Sequence, residues 1–169
     1  MENDNFDAIG YFKDLTEKNL LASDMGFIPV VISNSNGLEG LLDEFRDNDR
    51  FVAISDTSSG NLSSNDGTYG FFNRRAYTVF IIAAYEWDDM TARQVMMEAC
   101  RMIFHQFVSR IIRDKYLYED ESATFFDTHA FPNQEIGKYY LSGMTGLHFT
   151  VYMEEPVDLE YDNGDWKED

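Results

Sequence analysis

The chain has 169 residues, of which 44% are hydrophobic and 15% aromatic, a composition typical of a globular domain and not of a disordered chain. It carries 31 Asp and Glu against 13 Lys and Arg, and the resulting net charge of −18 argues against general nucleic-acid binding and favours a basic partner. The single cysteine, Cys100, excludes an intrachain disulfide. No apolar stretch has the length of a membrane span and no signal peptide is visible, so we predict a cytosolic protein with no membrane partner.

The N-terminal part of the chain is predicted to alternate helices with extended segments. Phe6, Ile9 and Phe12 recur at the spacing of an amphipathic helix. Pro29 removes a backbone donor, so the apolar segment around it suits an edge strand or an extended connection better than a central strand. The predicted elements are a helix over residues 4–22, an extended segment over 26–33, a short helix over 37–49 and a strand over 50–57.

The centre of the chain is predicted to be a hairpin. Residues 58–70 are rich in Gly, Ser and Asn and are predicted to form a mobile loop. The loop leads into a long strand over residues 71–87 that is apolar on both faces, with Ile81 on one face and Ile82 on the other. A long helix can cover only one of these faces. The second face must be covered by the N-terminal helix of the same protomer or by another copy of the chain.

Residues 88–115 are predicted to form the long helix, with Asp88 or Asp89 as its N-cap. Its apolar residues form a broad stripe that suits packing across a sheet. The remaining predicted elements are a short strand over residues 125–131 and a hairpin over residues 135–155.

Together these elements predict one α+β domain over residues 1–156, followed by an acidic C-terminal tail over residues 157–169. The domain is predicted to contain a mostly antiparallel β-sheet of about four to five strands. A long helix packs on one face of this sheet, and an N-terminal helix completes the fold.

The residues suited to catalysis or metal binding do not form a known pattern. Cys100 and His105 are five residues apart and lie on different faces of the predicted helix, and the three histidines lack the spacing of metal ligands. Asp88 and Asp89 are explained as helix caps. We therefore predict no enzymatic activity, no cofactor and no metal. A hydrolase that uses Asp88, Asp89 or His129 is a third, less favoured class of function.

The two apolar faces of the long strand predict an interface between copies of the chain. Its two arginines would provide cations in a strongly acidic molecule and would pair with acidic residues of a neighbouring copy in a dimer or a ring. The predicted interface residues are Phe71, Phe72, Arg74, Arg75, Tyr77, Val79 and Ile81.

The segments "RRAYTVFIIAAYEWDD", "MTARQVMMEACRMIFHQFVSRI" and "YYLSGMTGLHFTVYMEEP" follow one another as strand, long helix and hairpin. Over residues 4–155 this order resembles the tail-terminator and tail-completion (head–tail joining) proteins of tailed bacteriophages. The resemblance implies a non-enzymatic subunit of a ring, typically hexameric, that caps the tail tube and joins it to the head or neck. It also implies synthesis in the host cytoplasm followed by incorporation into the virion.

The resemblance further implies partners and a channel. The partners would be other copies of the chain together with tail-tube and neck proteins. DNA would pass through an acidic lumen without sequence-specific binding, since like charges repel. The residues expected to face the channel or a partner are Asn61, Asn65, Asp66 and Tyr69.

A second class of function fits the same composition. A small acidic cytosolic binding protein, such as an immunity protein or an inhibitor, would neutralise a basic partner and would also lack catalytic residues. The size of the protein in solution discriminates between the two classes. A monomer that binds one heterologous basic partner supports the inhibitor, and a ring, or a monomer that assembles only on a tail tube, supports the tail subunit.

Overall fold

The computed structural model describes residues 6–33, 49–64, 70–86, 88–118, 125–137, 143–157, 159 and 161–167. Within these ranges the chain is an α+β protein, which confirms the predicted fold class. It contains three α-helices, α1 (Ala8–Lys18), α2 (Leu20–Asp24) and α3 (Met90–Tyr118), and a short 3-10 helix, Asn163–Asp165. Its strands are β1 (Ile28–Ile32), β2 (Arg50–Ser55), β3 (Ser59–Ser64), β4 (Phe71–Ala84), β5 (Phe125–Asp127), β6 (Asn133–Glu135) and β7 (Met144–Val157).

The seven described strands form one sheet in the order β1, β2, β4, β7, β5. Strands β4 and β7 pair along their whole lengths, so β3 lies beside β4 in line with β2, and β6 lies beside β7 in line with β5. The strand number exceeds the predicted four to five because two positions in the sheet are each occupied by two short strands. The sheet is mixed because β1 runs parallel to β2, whereas the other pairs are antiparallel.

The prediction of a loop over residues 58–70 is wrong for β3. This strand pairs antiparallel with β4, from Ser59 opposite Ala76 to Ser64 opposite Phe71. Strand β2 also pairs with β4, and its Ile54 lies opposite Val79. The four residues 55–58 between β2 and β3 therefore lie opposite only the two residues 77–78 of β4. Two extra residues therefore bulge out between β2 and β3 and divide one long arm of the hairpin into two strands.

Helices α1 and α3 pack on the same face of the sheet, which we call the helix face. Val79 and Ile81 of β4 are fully buried there against Ile103 and Phe107 of α3, in a cluster that also contains Phe12 of α1. The alternation predicted for the last strand is confirmed, since Leu147, Phe149, Val151 and Met153 of β7 all join this cluster. The suggestion that the N-terminal helix covers the second face is wrong.

The face of the sheet opposite the helix face, which we call the second face, is also partly buried. Phe51, Ile82 and Met144 are fully buried there, and Phe80 is 8% exposed. No described helix contributes a side chain to this cluster. The burial occurs within one protomer, so a second copy of the chain is not needed to shield this part of β4. The predicted helix over residues 37–49 lies, except for Asp49, outside the described residues.

The helix ends follow from capping side chains. Asp89 is the N-cap of α3, because its Oδ1 accepts the backbone N–H groups of Thr91 and Ala92, both at 2.9 Å, which confirms one of the two predicted caps. The predicted first helix is two helices, since Asn19 ends α1 in an extended conformation and caps α2 through its side chain.

The described residues beyond β7, which are 159 and 161–167, are all exposed. Tyr161 and Trp166 stack on each other with ring centroids 6.1 Å apart, and both are mostly exposed. Strand β7 extends to Val157, one residue past the predicted boundary. The division into a domain of residues 1–156 and a tail of residues 157–169 stays a prediction.

We expect Cys100 in the native protein to resist alkylation. Its side chain is fully buried in α3, and burial raises the pKa of its thiol to about 12, so little reactive thiolate forms at about pH 8. Intact mass after iodoacetamide treatment should show no adduct on the folded chain and one adduct in denaturant. Native alkylation as fast as that of a free cysteine would contradict this burial.

Candidate assembly surface

One end of the sheet extends beyond the helix-covered core. We call β3 and residues 71–76 of β4 the outer end of the sheet. All six residues of β3 are exposed, and the core cluster of the helix face includes β4 side chains from Tyr77 onward but none from residues 71–76. Two apolar side chains of this end are exposed, Leu62 at 51% and Phe71 at 43%.

Arg74 belongs to a polar network on the second face of the outer end. Its Nη2 lies 2.5 Å from Asp127 Oδ2 on β5, and its Nε lies 3.9 Å from a Glu154 carboxylate oxygen. The guanidinium lies 4.4 Å from the centre of the Tyr152 ring, a cation–π contact. Partial burial raises the pKa of Asp127, but the His129 hydrogen bonds and Arg74 outweigh it and lower that pKa below its usual value.

Arg75 points to the helix face and pairs with a different acid. Its Nε lies 3.3 Å from Glu155 Oε2, and Oε1 of the same carboxylate accepts the backbone N–H of Phe6 at 3.1 Å. Glu155 is 7% exposed, so this pair fixes the N-terminal segment to β7. Both arginines therefore have acidic partners within their own protomer, and the prediction that they pair with a neighbouring copy is not needed to satisfy their charge.

The structure divides the predicted interface residues into two groups. Tyr77, Val79 and Ile81 are 8% exposed or less and belong to the core of one protomer, so they have almost no surface to offer to a second copy. Phe71 and Phe72, by contrast, lie at the outer end, where they are exposed and half-buried. An interface proposal based on this strand is therefore limited to its first residues.

Of the four residues expected to face a channel or a partner, Asn61 is exposed on β3, next to Leu62. Asn65, Asp66 and Tyr69 lie outside the described residues. The sequence interpretation missed Leu62, although a single leucine within the otherwise polar residues 58–68 is a visible signal.

Two of the three residues considered for hydrolysis, Asp89 and His129, have structural contacts. Asp89 caps α3, and the His129 ring and backbone N–H both contact Asp127 Oδ1, at 2.9 and 3.0 Å. Asp88 is exposed. In the part of the chain that the structure describes, no three His, Cys, Asp or Glu side chains are grouped so that they could hold a metal ion.

We expect His148 to make the fold sensitive to mild acid. It lies on the second face with its ring centroid 5.4 Å from that of Phe80, and burial lowers its pKa below 6.5. The neutral ring is favoured in the folded state, so its contribution to stability is complete above about pH 6.5 and is lost as the pH falls below that value.

Urea unfolding between about pH 7.5 and pH 5 measures this effect. The loss of unfolding free energy on acidification should be smaller for His148→Gln than for the wild type. His105→Gln is the matched control, because His105 is exposed on α3. Equal pH dependence in the wild type and in His148→Gln would show that the histidine does not contribute.

No protein-family model matches the chain, and no curated protein sequence matches it. None of the helices in the described ranges combines the length and the hydropathy that crossing a bilayer requires. The surface that the structure offers for a function is therefore the outer end of the sheet. It is an exposed hairpin whose β3 edge pairs with no other described strand, on a strongly acidic α+β protein.

Proposed function

We propose that this protein is a structural subunit of a tailed-bacteriophage tail or neck. Copies of it assemble into a ring that caps the tail tube and joins it to the head. The proposal rests on the order of strand, long helix and closing strand, in which the chain resembles tail-terminator and tail-completion proteins, and on an exposed surface suited to self-association. The ring, the partners and the virion location all belong to the proposal.

The observation that carries the proposal is the exposure of the outer end. A ring subunit needs a surface that is not used by its own core, and the hairpin of β3 and β4 provides one beyond α1 and α3. Phe71 and Leu62 supply apolar area on the same face of this hairpin, because Leu62 lies opposite Asn73, two residues from Phe71. Burial of such side chains drives association.

The charge of the molecule fits a DNA-conducting ring. With a net charge of −18, a lumen formed by several copies would repel the phosphates of passing DNA and would not retain them. No sequence-specific contact with DNA is proposed. Tail-tube and neck proteins would bind the two faces of the ring.

Immunogold electron microscopy tests the function directly. Antibodies against the purified chain would be applied to phage particles from a lysate of the bacterium that carries the gene. We expect gold label at the head–tail junction or neck of the particles. Label that is absent from particles while the chain remains in the soluble fraction would contradict the proposal.

The acidic charge also supports the second candidate, an inhibitor or immunity protein that binds one basic partner. Native mass spectrometry and negative-stain images of the purified full chain separate the two. Closed rings of several copies support the tail subunit. A monomer at every concentration that forms a one-to-one complex with a basic protein supports the inhibitor.

A further inference from the structure

Among the described strands, β3 has one edge that is not paired. It pairs with β4 on one side, and no other described strand pairs with it on the other side. Backbone N–H and C=O groups along such an edge form a template for another strand. Proteins usually protect a free edge with Lys, Pro or a very short strand, but β3 has six residues, "SGNLSS", and contains neither Lys nor Pro.

The other described sheet edges fit an added strand less well. Strand β1 contains Pro29, which has no backbone N–H to donate. Strands β5 and β6, on the opposite side of the sheet, have three residues each. The best match in length for the β3 edge of one copy is therefore the β3 edge of another copy.

Charge favours the same contact. Two molecules that each carry −18 repel one another over most of their surfaces. Residues 57–65 contain no charged side chain, so two copies can bring these segments together without placing like charges opposite each other.

We propose that two copies of the chain join through β3, in an antiparallel pair related by a two-fold axis normal to the sheet. Such an axis reverses the strand direction and keeps the helix face of both copies on the same side. The exposed Leu62 and Phe71 of both copies then lie on one face of a continuous sheet, with the two Leu62 side chains near the axis and each Phe71 one strand further out. The unpaired backbone groups of β3 bond reciprocally across the axis.

This inference does not depend on the proposed function. A two-fold contact closes on itself and produces a dimer, so the outer end supplies one contact between copies, and a ring built from such dimers requires a second, different contact. Loss of the dimer with rings still present would contradict this inference alone, and a dimer without rings or virion label would contradict the proposed function alone.

The first test introduces a charge at the edge. Leu62→Lys places two ammonium groups near each other across the axis, and lysine is a residue that natural edge strands use against pairing. We expect the dimer dissociation constant, measured by analytical ultracentrifugation, to rise roughly tenfold or more. Leu20→Lys is the matched control, because Leu20 is 80% exposed on α2 and the change in net charge is identical. Equal dissociation constants for both variants, with wild-type circular dichroism, would overturn the proposal.

The second test identifies the paired strands. A two-fold axis normal to the sheet places one residue of β3 opposite the same residue of the other copy. For the longest overlap of the two strands, this residue is the one nearest the middle of β3, either Asn61 or Leu62. Chains with Asn61→Cys or Leu62→Cys should therefore form a disulfide-linked dimer under mild oxidation in at least one case, because opposed strand residues meet the distance that a disulfide requires. Cys100 is buried and does not compete. Leu20→Cys is the control, and cross-linking of neither β3 variant above this control would overturn the β3–β3 pairing.

Discussion

Replacing Gly146 with alanine is expected to destabilise the fold by about 3 kcal/mol or more. Gly146 has a φ of +147°, which side-chain-bearing residues rarely adopt, and it lies on β7 opposite Ile82 of β4. A Cβ at this position would overlap the backbone carbonyl of Ile81, in the most extensive strand pair of the sheet. Because the atom it meets is backbone, β4 and β7 must separate locally to make room.

Gly26→Ala is the matched control for this change. Gly26 also has a positive φ, +77°, but a Cβ there would meet no atom within 4 Å. Its cost should therefore reflect the backbone conformation alone, about 1 kcal/mol. Urea unfolding of both variants measures the two losses, and equal losses would show that the close approach of β7 to β4 at Gly146 is not as described.

Replacing Ile81 with aspartate is expected to prevent stable folding. Ile81 is fully buried in the cluster between β4 and α3, and an uncompensated carboxylate there costs several kcal/mol, which is comparable to the whole stability of a domain. Far-UV circular dichroism and the soluble yield should show an unfolded or aggregated chain.

Phe71→Asp is the control on the same strand. Phe71 is 43% exposed at the outer end, so this variant should keep the wild-type spectrum and lose self-association instead. A folded Ile81→Asp chain that merely failed to assemble would mean that Ile81 lies at an interface between copies, as the sequence alone suggested, and not in the core of one protomer.

The parts of the fold that the sequence predicted are those whose local pattern agrees with their packing. Alternation in "LHFTVYM" predicted which side chains of β7 face the helices, and all four of them are buried. Asp89 before a long apolar stripe predicted the start of α3 within two residues.

Strand β3 could not be predicted because its composition argues against it. Gly, Ser and Asn are depleted in strands and common in loops, yet pairing with β4 places "SGNLSS" in the sheet. Long-range pairing outweighs local propensity here, and the bulge between Ile54 and Ser59 depends on register, which composition does not encode. The candidate site was missed for the same reason, since its free edge exists only once β3 is recognised as a strand.

The burial of both faces of β4 was also misread. Ile81 and Ile82 correctly indicated that each face is covered, but a sequence pattern does not say by what. Helix α1 could have packed on either face, since its apolar side is the same in both arrangements. The face that carries Tyr77, Val79 and Ile81 was therefore predicted to be an interface between copies, whereas α1 and α3 of the same protomer cover it. Phe51 and Ile82 on the opposite face are also fully buried within one protomer.

Hydrogen–deuterium exchange of the wild-type chain, at low and at high protein concentration, tests most directly whether the outer end is where copies meet. Backbone amides of β3 should gain protection as the concentration rises, while amides in the buried centre of β4 exchange equally slowly at both concentrations. Unchanged exchange in β3, with concentration-dependent protection on the exposed side of α3 instead, would contradict self-association through the free edge of the sheet.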